Sequence, residues 1–387
     1  MNSKQFETAK MCLKAVTPIN ISDGIVLGAK DYLYDSRRQK VYFLNLHQWH
    51  MFIYKHMLLK KYESYLANFR DKQSLLEWLR MQGYDIDDVR TVITSEAQAT
   101  VNLMDNEKKK TLNDINRHIQ QPDGSLYVPG SSIKGVFRTA ILYTLLQKRQ
   151  DVKVKYWRQI QEKISSNYFK PYKDLNKLIS DLENELLHTL RLLDAGIRSN
   201  NAVCSAMRGL QVSDTYASRK MQTAILQKVD GGLDKFDKAS PKKLPIFREC
   251  MLPEAELFFD VKIEKAVMST IGISSVDDLL KATHSFFAAV TDLLQQAFGK
   301  EYQEVFQGVS AGNMFLGGNT GFLSKTLLAM LAPDKDTAKN TIKVLLDKSF
   351  KNHKHLLRDK VIAPRTLKCT NYNGKLMLMG VAEVRKV

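Results

Sequence analysis

The stretch that most constrains this chain runs from Tyr127 to Arg138 and reads Tyr-Val-Pro-Gly-Ser-Ser-Ile-Lys-Gly-Val-Phe-Arg. Its Pro129-Gly130 pair is typical of a turn, and Ser131 or Ser132 can cap a helix that follows the turn. Apolar residues then recur at helical spacing, namely Ala140, Ile141, Leu142 and Leu145. The stretch therefore predicts a turn that leads directly into a helix with one buried face.

The predicted start of this helix has the chemistry of an anion site. The first N–H groups of a helix lack intrahelical partners and carry partial positive charge. Lys134 and Arg138 lie four residues apart and so project from one face, while Gly135 lets another backbone approach closely. These groups suit a phosphate, but an ordinary capped helix with two solvated cations explains the same residues. From this stretch alone both interpretations stay open.

Three parts of the sequence together resemble one protein family. The Tyr127–Arg138 stretch is similar to the Pro-Gly-Ser-Ser-hydrophobic-Lys-Gly-x-hydrophobic-Arg signature of the RAMP superfamily, the RNA-binding proteins of CRISPR systems. Gly317–Thr326 resembles the glycine-rich loop of that family. Further segments resemble one RAMP subunit, which caps the 3′ end of the CRISPR RNA in the type III-A (Csm) interference complex: Thr17–Ile19, Ser22–Gly24, Asp31–Asp35, Pro364–Lys368, Tyr372–Lys375 and Met379-Gly380. The resemblance spans both ends of the chain, and the helical middle carries no signature.

The resemblance implies an α+β fold made of two ferredoxin-like (RRM-like) RAMP domains. The first would span residues 1–245 and carry helical insertions at about 46–115 and 145–200. The second would span residues 246–387 and contain the glycine-rich loop.

The resemblance also implies a function. We expect a non-catalytic RNA-binding subunit that holds the 3′ portion of the CRISPR RNA, caps the filament of backbone subunits and supports 3′-end maturation in antiviral defence. Its expected partners are CRISPR RNA, target RNA, the backbone RAMP subunit, the small helical subunit and cellular maturation nucleases. The expected RNA-binding residues are Ser131, Ser132, Lys134, Arg138, Gly317, Gly318, Asn319, Thr320, Lys325, Arg365 and Lys368.

The charge balance points to a polyanionic partner independently of the resemblance. The 387 residues carry a formal net charge of +17, with a pI near 9.5, and such an excess favours binding to phosphates through counterion release. Charge alone does not separate RNA from DNA or an acidic membrane, but no lipidation signal or basic amphipathic anchor favours a membrane. The N-terminus lacks an apolar signal core, and the uncharged run from Val305 to Ser324 is rich in glycine and predicts a loop. We therefore expect a soluble, cytoplasmic protein.

The chain in order predicts alternating strands and helices. The expected strands are one within 8–21, a hairpin over 32–44, strands over 203–214 and 256–263, and a final hairpin turning at Asn373-Gly374. The expected helices span 46–66, about 75–79, 147–200, 276–298 and 322–331. Residues 95–120, with Lys108–Lys110, are polar and predict either an RNA-facing connection or a solvated loop. Residues 228–246 predict a flexible basic loop, for which the resemblance implies the thumb-like hairpin of RAMP subunits.

The sequence offers no constellation that demands catalysis. The glycine-rich loop fails the P-loop spacing, because Ser324 precedes Lys325 where that motif needs Gly-Lys before the hydroxyl residue. The four cysteines form no C-x-x-C pair, and His47 and His50 have no nearby carboxylate at ligand spacing, so we expect no metal and no cofactor. The alternative function is a RAMP-type ribonuclease that processes CRISPR RNA, metal-dependent or metal-independent. Its candidate acid and base residues are Asp23, His118, His353 and His355.

Overall fold

Two β-sheets covered by helices form the protein, as the α+β prediction requires. The computed structural model describes residues 5–68, 73–100, 112, 114–166, 168–191, 200–219 and 221–387, without the side chains of Thr100 and Tyr172. The strands are β1 Phe6–Ala15, β2 Val26–Leu27, β3 Tyr32–Asp35, β4 Lys40–Leu44, β5 Ile93–Thr100, β6 Ile115–Asn116, β7 Leu210–Val212, β8 Thr223–Leu233, β9 Ala239–Met251, β10 Glu256–Glu264, β11 Met314–Phe315, β12 Leu367–Tyr372, β13 Lys375–Leu378 and β14 Val381–Lys386. The helices are α1 Leu46–Lys55, α2 Leu59–Ala67, α3 Leu75–Met81, α4 Gly130–Lys148, α5 Gln150–Ser165, α6 Pro171–Leu187, α7 Lys265–Met268, α8 Val276–Phe298, α9 Gln303–Gln307, α10 Leu328–Leu331, α11 Lys335–Ser349 and α12 His355–Arg358.

The first sheet has the strand order β11-β14-β1-β10-β7, and all its pairings are antiparallel. Its centre is β1, where Met11, Leu13 and Ala15 alternate along the strand and are fully buried. Helices α4 and α8 cover this sheet, because Phe137 of α4 and Phe287 of α8 belong to the same hydrophobic core as the strand residues. The sheet therefore joins the two ends of the chain and fixes the position of helix α4.

The second sheet has the strand order β2-β6-β9-β8-β5-β4-β3, and β12 pairs with the far half of β8 and then with β13. Its longest unit is the β8–β9 hairpin. The prediction of a flexible loop over 228–246 is therefore wrong, whereas the hairpin form that the resemblance implied for this segment is present. The prolines that suggested a loop, Pro241 and Pro245, lie within β9, which pairs with β8 along one edge and with β6 at Phe247 and Arg248. A proline lacks only its own N–H, so it fits in a strand at a position where the ladder does not need that donor.

Both sheets contain strands from each side of residue 245. In the first sheet β1 pairs along its length with β10 and β14, and in the second sheet β8 pairs with β12. The division into domains 1–245 and 246–387 therefore stays a prediction. Of the predicted insertions, α1–α3 pack with Leu33 of β3 and Tyr42 of β4 in a separate hydrophobic cluster, whereas α5 and α6 contribute to the main core.

Several local predictions are confirmed and others change at their ends. The β3–β4 and β12–β13 hairpins and helix α8 form as expected. The helix predicted over 46–66 is two helices, because the backbone of Met57 has a φ of 55° and interrupts it. The region predicted as a polar connection begins with the strand β5, and Lys108–Lys110 lie outside the described residues.

The remaining differences concern short elements. Residues 203–214 are mostly 3₁₀ turns that end in the short strand β7, and the helix predicted over 322–331 is a 3₁₀ turn followed by α10. The first strand ends at Ala15, and the segment predicted as loop between 305 and 324 includes part of α9 and the strand β11. Among the described residues, no helix combines the length and apolar character needed to cross a membrane.

Candidate nucleic-acid interface

The start of helix α4 is capped from a distant part of the chain. The helix begins at Gly130 with Pro129 as its N-cap, so the prediction that Ser131 or Ser132 caps it is wrong. Both serines lie inside the first turn, and the Gly130 N–H donates instead to Asp214 Oδ1 at 2.7 Å. A side chain at Gly130 would overlap the Val212 and Ser213 carbonyl groups, so glycine is required for this close contact. A carboxylate of the protein thus occupies the place predicted for a phosphate.

The two cations of the signature also have partners within the chain. Lys134 Nζ donates to the Leu210 carbonyl oxygen at 2.6 Å, and burial lowers the pKa of this half-buried amine. Arg138 forms an ion pair with Glu183 of helix α6. Helix α4 is therefore attached through these side chains to β7 and α6, and RNA would have to displace those partners to reach them.

The glycine-rich loop lies against the chain segment that follows β1. The Gly318 N–H donates to the Asn20 carbonyl oxygen at 2.7 Å. Gly317 has a φ of 89°, which a side chain rarely adopts, and a Cβ there would overlap the same carbonyl oxygen. Asn319 Nδ2 contacts Met379 Sδ at 3.0 Å, and the buried Thr320 hydroxyl faces the Gly317 carbonyl oxygen at 3.4 Å. The loop is thus fixed on one side by Asn20 and on the other by Met379.

Asn20 connects the glycine-rich loop to an arginine of β9. Its side chain is fully buried, Nδ2 donates to the Glu249 carbonyl oxygen at 2.8 Å, and Oδ1 accepts from Arg248 Nη1 at 3.2 Å. Arg248 Nε is buried and, in the part of the chain that the structure describes, has no hydrogen-bond partner. The guanidinium therefore lies beside the Gly318 backbone with donor capacity that the protein does not use.

Three lysines extend this arginine into a cation cluster, which we define as Lys228, Arg248, Lys325 and Lys368. Lys368 Nζ lies 3.0 Å from Asp230 Oδ1 and 2.8 Å from Thr366 Oγ1, and Lys228 Nζ lies 3.7 Å from the same carboxylate oxygen. The Lys325 side-chain amine has no ion-pair or hydrogen-bond partner within the described ranges. Asp230 contacts Lys228 and Lys368 and is the one carboxylate paired with the cluster among the described residues, so the four cations and this carboxylate carry a formal charge of +3.

Three of the four cations in the cluster have lowered pKa values. Burial lowers the pKa of Lys228, and the positive charges of Lys368 and Arg248 lower it further. Burial also lowers the pKa of Arg248. Lys325 is largely solvent-exposed by surface area, yet the protein around its amine and the Arg248 charge lower its pKa. Each of these shifts disfavours the charged form, so an anion bound here would relieve a cost that the folded protein carries.

Arg365 is engaged elsewhere. Its guanidinium pairs with Asp359 Oδ1 at 2.7 Å and also donates to the His353 carbonyl oxygen at 3.3 Å. Asp359 is fully buried, and its second oxygen lies 2.8 Å from His355 Nδ1. Arg365 therefore anchors the segment before β12, and about a third of its side chain remains exposed.

The candidate ribonuclease residues do not meet in one site. The His118 ring is buried, its Nδ1 lies 2.9 Å from the Ile119 carbonyl oxygen, and burial lowers its pKa. Because a carbonyl oxygen can only accept, Nδ1 carries the proton and the buried Nε2 keeps its lone pair. Asp23 Oδ1 accepts the Ile25 N–H in an exposed turn, whereas the rings of His353 and His355 stack on each other 5.7 Å apart. A search of the described residues for three or more His, Cys, Asp or Glu placed to hold a metal finds none.

The sequence patterns do not single out Arg248, Lys228 or Asp230. Lys228 and Asp230 fall in the segment predicted as a loop, although in a strand the two-residue spacing places both side chains on one face of the sheet. The register then sets Lys368 opposite Asp230. The alternation over 223–233 is the signal that could have identified them.

Comparison of the sequence with known families and proteins bears on this surface. The sequence profile described as "RAMP superfamily" matches residues 12–321. A Mycobacterium tuberculosis protein named "CRISPR system Cms protein Csm5" is 26% identical over 404 residues, covering 98% of this chain and 97% of that protein. The protein of the same name from Enterococcus italicus is 22% identical over 377 residues, covering 88% and 85%.

Two solved structures share the fold. One is a chain in the "Cryo-EM structure of Csm-crRNA-target RNA ternary complex in type III-A CRISPR-Cas system", with a TM-score of 0.65, 18% identity, and coverage of 98% of this chain and 100% of that one. The other is the "Crystal structure of T.onnurineus Csm5", with a TM-score of 0.61, 18% identity, and coverage of 96% and 99%.

Proposed function

Because the chain belongs to the RAMP superfamily, we propose that it is a non-catalytic RNA-binding subunit of a type III-A CRISPR effector complex in the cytoplasm. In this role it binds the 3′ portion of the CRISPR RNA, caps the filament of backbone RAMP subunits and supports 3′-end maturation through partner nucleases. The relatives named Csm5 and the fold shared with a chain of a Csm–crRNA–target RNA complex support the assignment.

The observation that carries the RNA-binding role is the cation cluster beside the glycine-rich loop. Its net positive charge and lowered pKa values match a ligand that brings several negative charges close together. The loop adds backbone N–H groups, and Arg248 adds a planar donor suited to a phosphate. We place the RNA backbone across Lys228, Arg248, Lys325 and Lys368, with Gly317–Thr320 at its side.

The signature helix and Arg365 have a different part in this proposal. Ser131 is exposed beside the α4 N-terminus, and a phosphate there would compete with Asp214 for the Gly130 N–H. Lys134 and Arg138 likewise contact RNA only after they leave Leu210 and Glu183. We therefore assign these residues, together with Arg365, contacts that form on assembly with RNA, after those of the cation cluster.

The β8–β9 hairpin supplies a second feature that suits RNA. Its tip carries Phe236, which is 69% exposed and lies under the Lys235 amine at 4.8 Å from the ring centroid. A base can stack on an exposed aromatic ring while the neighbouring amine contacts the phosphate. We propose that the hairpin acts as the thumb that separates bases of the CRISPR RNA from the target RNA.

The geometry favours binding over cleavage. Cleavage of RNA by 2′-OH attack needs a base and an acid that both reach the scissile phosphate. The unprotonated Nε2 of His118 is shielded from solvent, and His355 is held by Asp359. The protein should therefore bind CRISPR RNA and leave it intact.

One incubation tests both parts of this proposal. Purified protein is mixed with 3′-labelled CRISPR RNA in EDTA, Mg²⁺ or Mn²⁺, and each sample is run on native and denaturing gels. Binding with intact RNA in every condition is the expected result. Discrete cleavage that disappears in His118→Ala, His353→Ala or Asp23→Ala would make the protein a ribonuclease. Absence of binding to the RNA would overturn the proposal.

A further inference from the structure

Helix α1 buries one face and leaves three apolar side chains exposed on the rest of its surface. Trp49 and Ile53 point into the cluster enclosed by α1–α3. The opposite face is solvent-exposed and carries Leu46, Met51 and Tyr54, with His47 and His50 between them. Exposed polar residues, among them Gln48 and Lys55, share this surface, so α1 is an amphipathic helix that leaves three apolar side chains in solvent.

The exposed face continues beyond the end of α1. Met57 is 91% exposed and has a φ of 55°, and Leu59 begins α2 with nearly half of its surface exposed. We call these five apolar residues the α1–α2 outer surface: Leu46, Met51, Tyr54, Met57 and Leu59. Five exposed apolar side chains within one short segment of the chain are more than isolated surface residues, and such groups mark interaction sites.

Unpaired positive charge borders this surface. Lys55 ends α1, and Lys60 and Lys61 lie in the first turn of α2; all three are exposed, and none has an ion-pair partner among the residues described. The first turn of α2 contains no acidic residue and has no side-chain cap, so two lysines stand where the helix dipole already carries positive charge. A negatively charged partner would compensate the charges of the two lysines and the partial positive charge of the helix N-terminus.

We propose that the α1–α2 outer surface binds an acidic amphipathic helix of a partner protein. The apolar side of that helix would cover Met51, Tyr54 and Met57, and its carboxylates would pair with Lys60 and Lys61. Methionine suits such a contact, because its flexible, polarisable side chain adapts to the partner. RNA fits less well, because four of the five residues have no aromatic face on which a base could stack. The proposal does not rest on the RNA-binding role of the cation cluster.

Site-specific crosslinking in the full-length chain identifies what covers the surface. Tyr54 is replaced by the photoreactive p-benzoylphenylalanine, the cells are irradiated, and the crosslinked segment is mapped by mass spectrometry. An acidic amphipathic protein segment is the expected product. A crosslink to RNA, a crosslink to a segment without carboxylates, or no crosslink would each overturn the proposal.

The mapped segment is then synthesised as a labelled peptide and titrated with purified variants. Met57→Ser and the Lys60→Glu/Lys61→Glu double variant should each bind it at least about tenfold more weakly, the usual effect of removing a central contact or a charge match. Tyr168→Ser is the matched control, because Tyr168 is 89% exposed outside this surface and should leave the affinity unchanged. RNA affinity should stay constant in all three variants, so failure here is distinguishable from failure of the RNA-binding role. Equal peptide binding by wild type and the double variant would overturn the proposal.

Discussion

Neutralising part of the cation cluster should weaken RNA binding without weakening the fold. Lys325→Gln removes an amine that has no partner in the described structure, and Lys228→Gln removes one of the two amines that share Asp230. Both lysines carry pKa values lowered by burial and by neighbouring positive charge. Removing either charge therefore relieves repulsion, and the free energy of unfolding should stay equal to that of wild type or rise.

The size of the binding effect follows from counterion release. For single-stranded nucleic acid, each phosphate neutralised by the protein contributes about 0.7 to the slope of log K against log salt. Loss of one contact should lower the slope by about 0.7 and the affinity about fivefold at 0.1 M salt. The Lys228→Gln/Lys325→Gln double variant should lose about 1.4 in slope and about 25-fold in affinity.

Fluorescence anisotropy with labelled CRISPR RNA at several salt concentrations measures both quantities, and urea denaturation measures stability. Lys173→Gln is the matched control, because Lys173 is an exposed lysine on helix α6. It should change neither the slope nor the stability. A wild-type salt slope in the double variant would refute the assignment of the cluster, whatever the affinity.

The same double variant tests whether RNA affinity and unfolding free energy change in opposite directions with pH. Between the lowered pKa of a folded lysine and 10.5, the unfolded chain binds more protons, so unfolding free energy rises with pH in that window. Below this pH window both lysines are charged in the folded protein, and the folded state is destabilised by the full effect of the lowered pKa values. A bound phosphate favours the protonated lysines, so RNA affinity should fall over the same window. Relative to the double variant, wild type should gain unfolding free energy and lose RNA affinity as the pH rises. A rise or a fall of both quantities together would contradict the argument.

Three further substitutions test the fold and the hairpin. Gly130→Ala places a Cβ against the Val212 carbonyl oxygen and should cost about 1–3 kcal/mol of unfolding free energy, measured by urea denaturation; wild-type stability would show that this contact is not tight. Asp359→Asn leaves Arg365 without its buried counter-charge and should cost about 3 kcal/mol by the same assay, whereas an unchanged midpoint would mean that the pair contributes nothing. Phe236→Ala should keep the melting temperature and weaken RNA binding by roughly 1–3 kcal/mol in anisotropy titrations; unchanged affinity would exclude stacking at the hairpin tip.

Features encoded by local periodicity were predictable from the sequence. The apolar stripe from Leu279 to Phe298 specifies helix α8, and the Tyr32–Leu44 stretch specifies a hairpin, because each pattern lies within one element. The break at Met57 was not predictable from periodicity, since apolar residues on both sides of it keep helical spacing. The prolines of β9 were misleading for a related reason. Whether a proline interrupts a strand depends on whether the ladder needs its N–H at that position, and this is a property of the sheet.

The candidate site likewise combines residues that were predictable from the sequence with residues that only the fold brings together. The sequence alone identifies Gly317–Thr320, Lys325 and Lys368 as candidates through their resemblance to a family, but the cation cluster forms only when β8, β9 and β12 pair. Arg248 is 77 residues before Lys325 and joins the loop through Asn20, which comes from the other end of the chain. A one-dimensional pattern contains none of these distances.

The distribution of carboxylates distinguishes the two basic regions of the protein. At the start of helix α4, Asp214 matches the free N–H and Glu183 matches Arg138, so the charges there are balanced before any ligand arrives. In the cation cluster, Asp230 pairs with Lys228 and Lys368 and is the one carboxylate that the described residues place against the four cations. Burial lowers the pKa values of Lys228, Arg248 and Lys325, and neighbouring positive charge lowers those of the two lysines further. A protein that needed these cations only for packing would be more stable with fewer of them. The imbalance therefore supports our proposal that a polyanion completes the site and that RNA first contacts the protein at the glycine-rich loop.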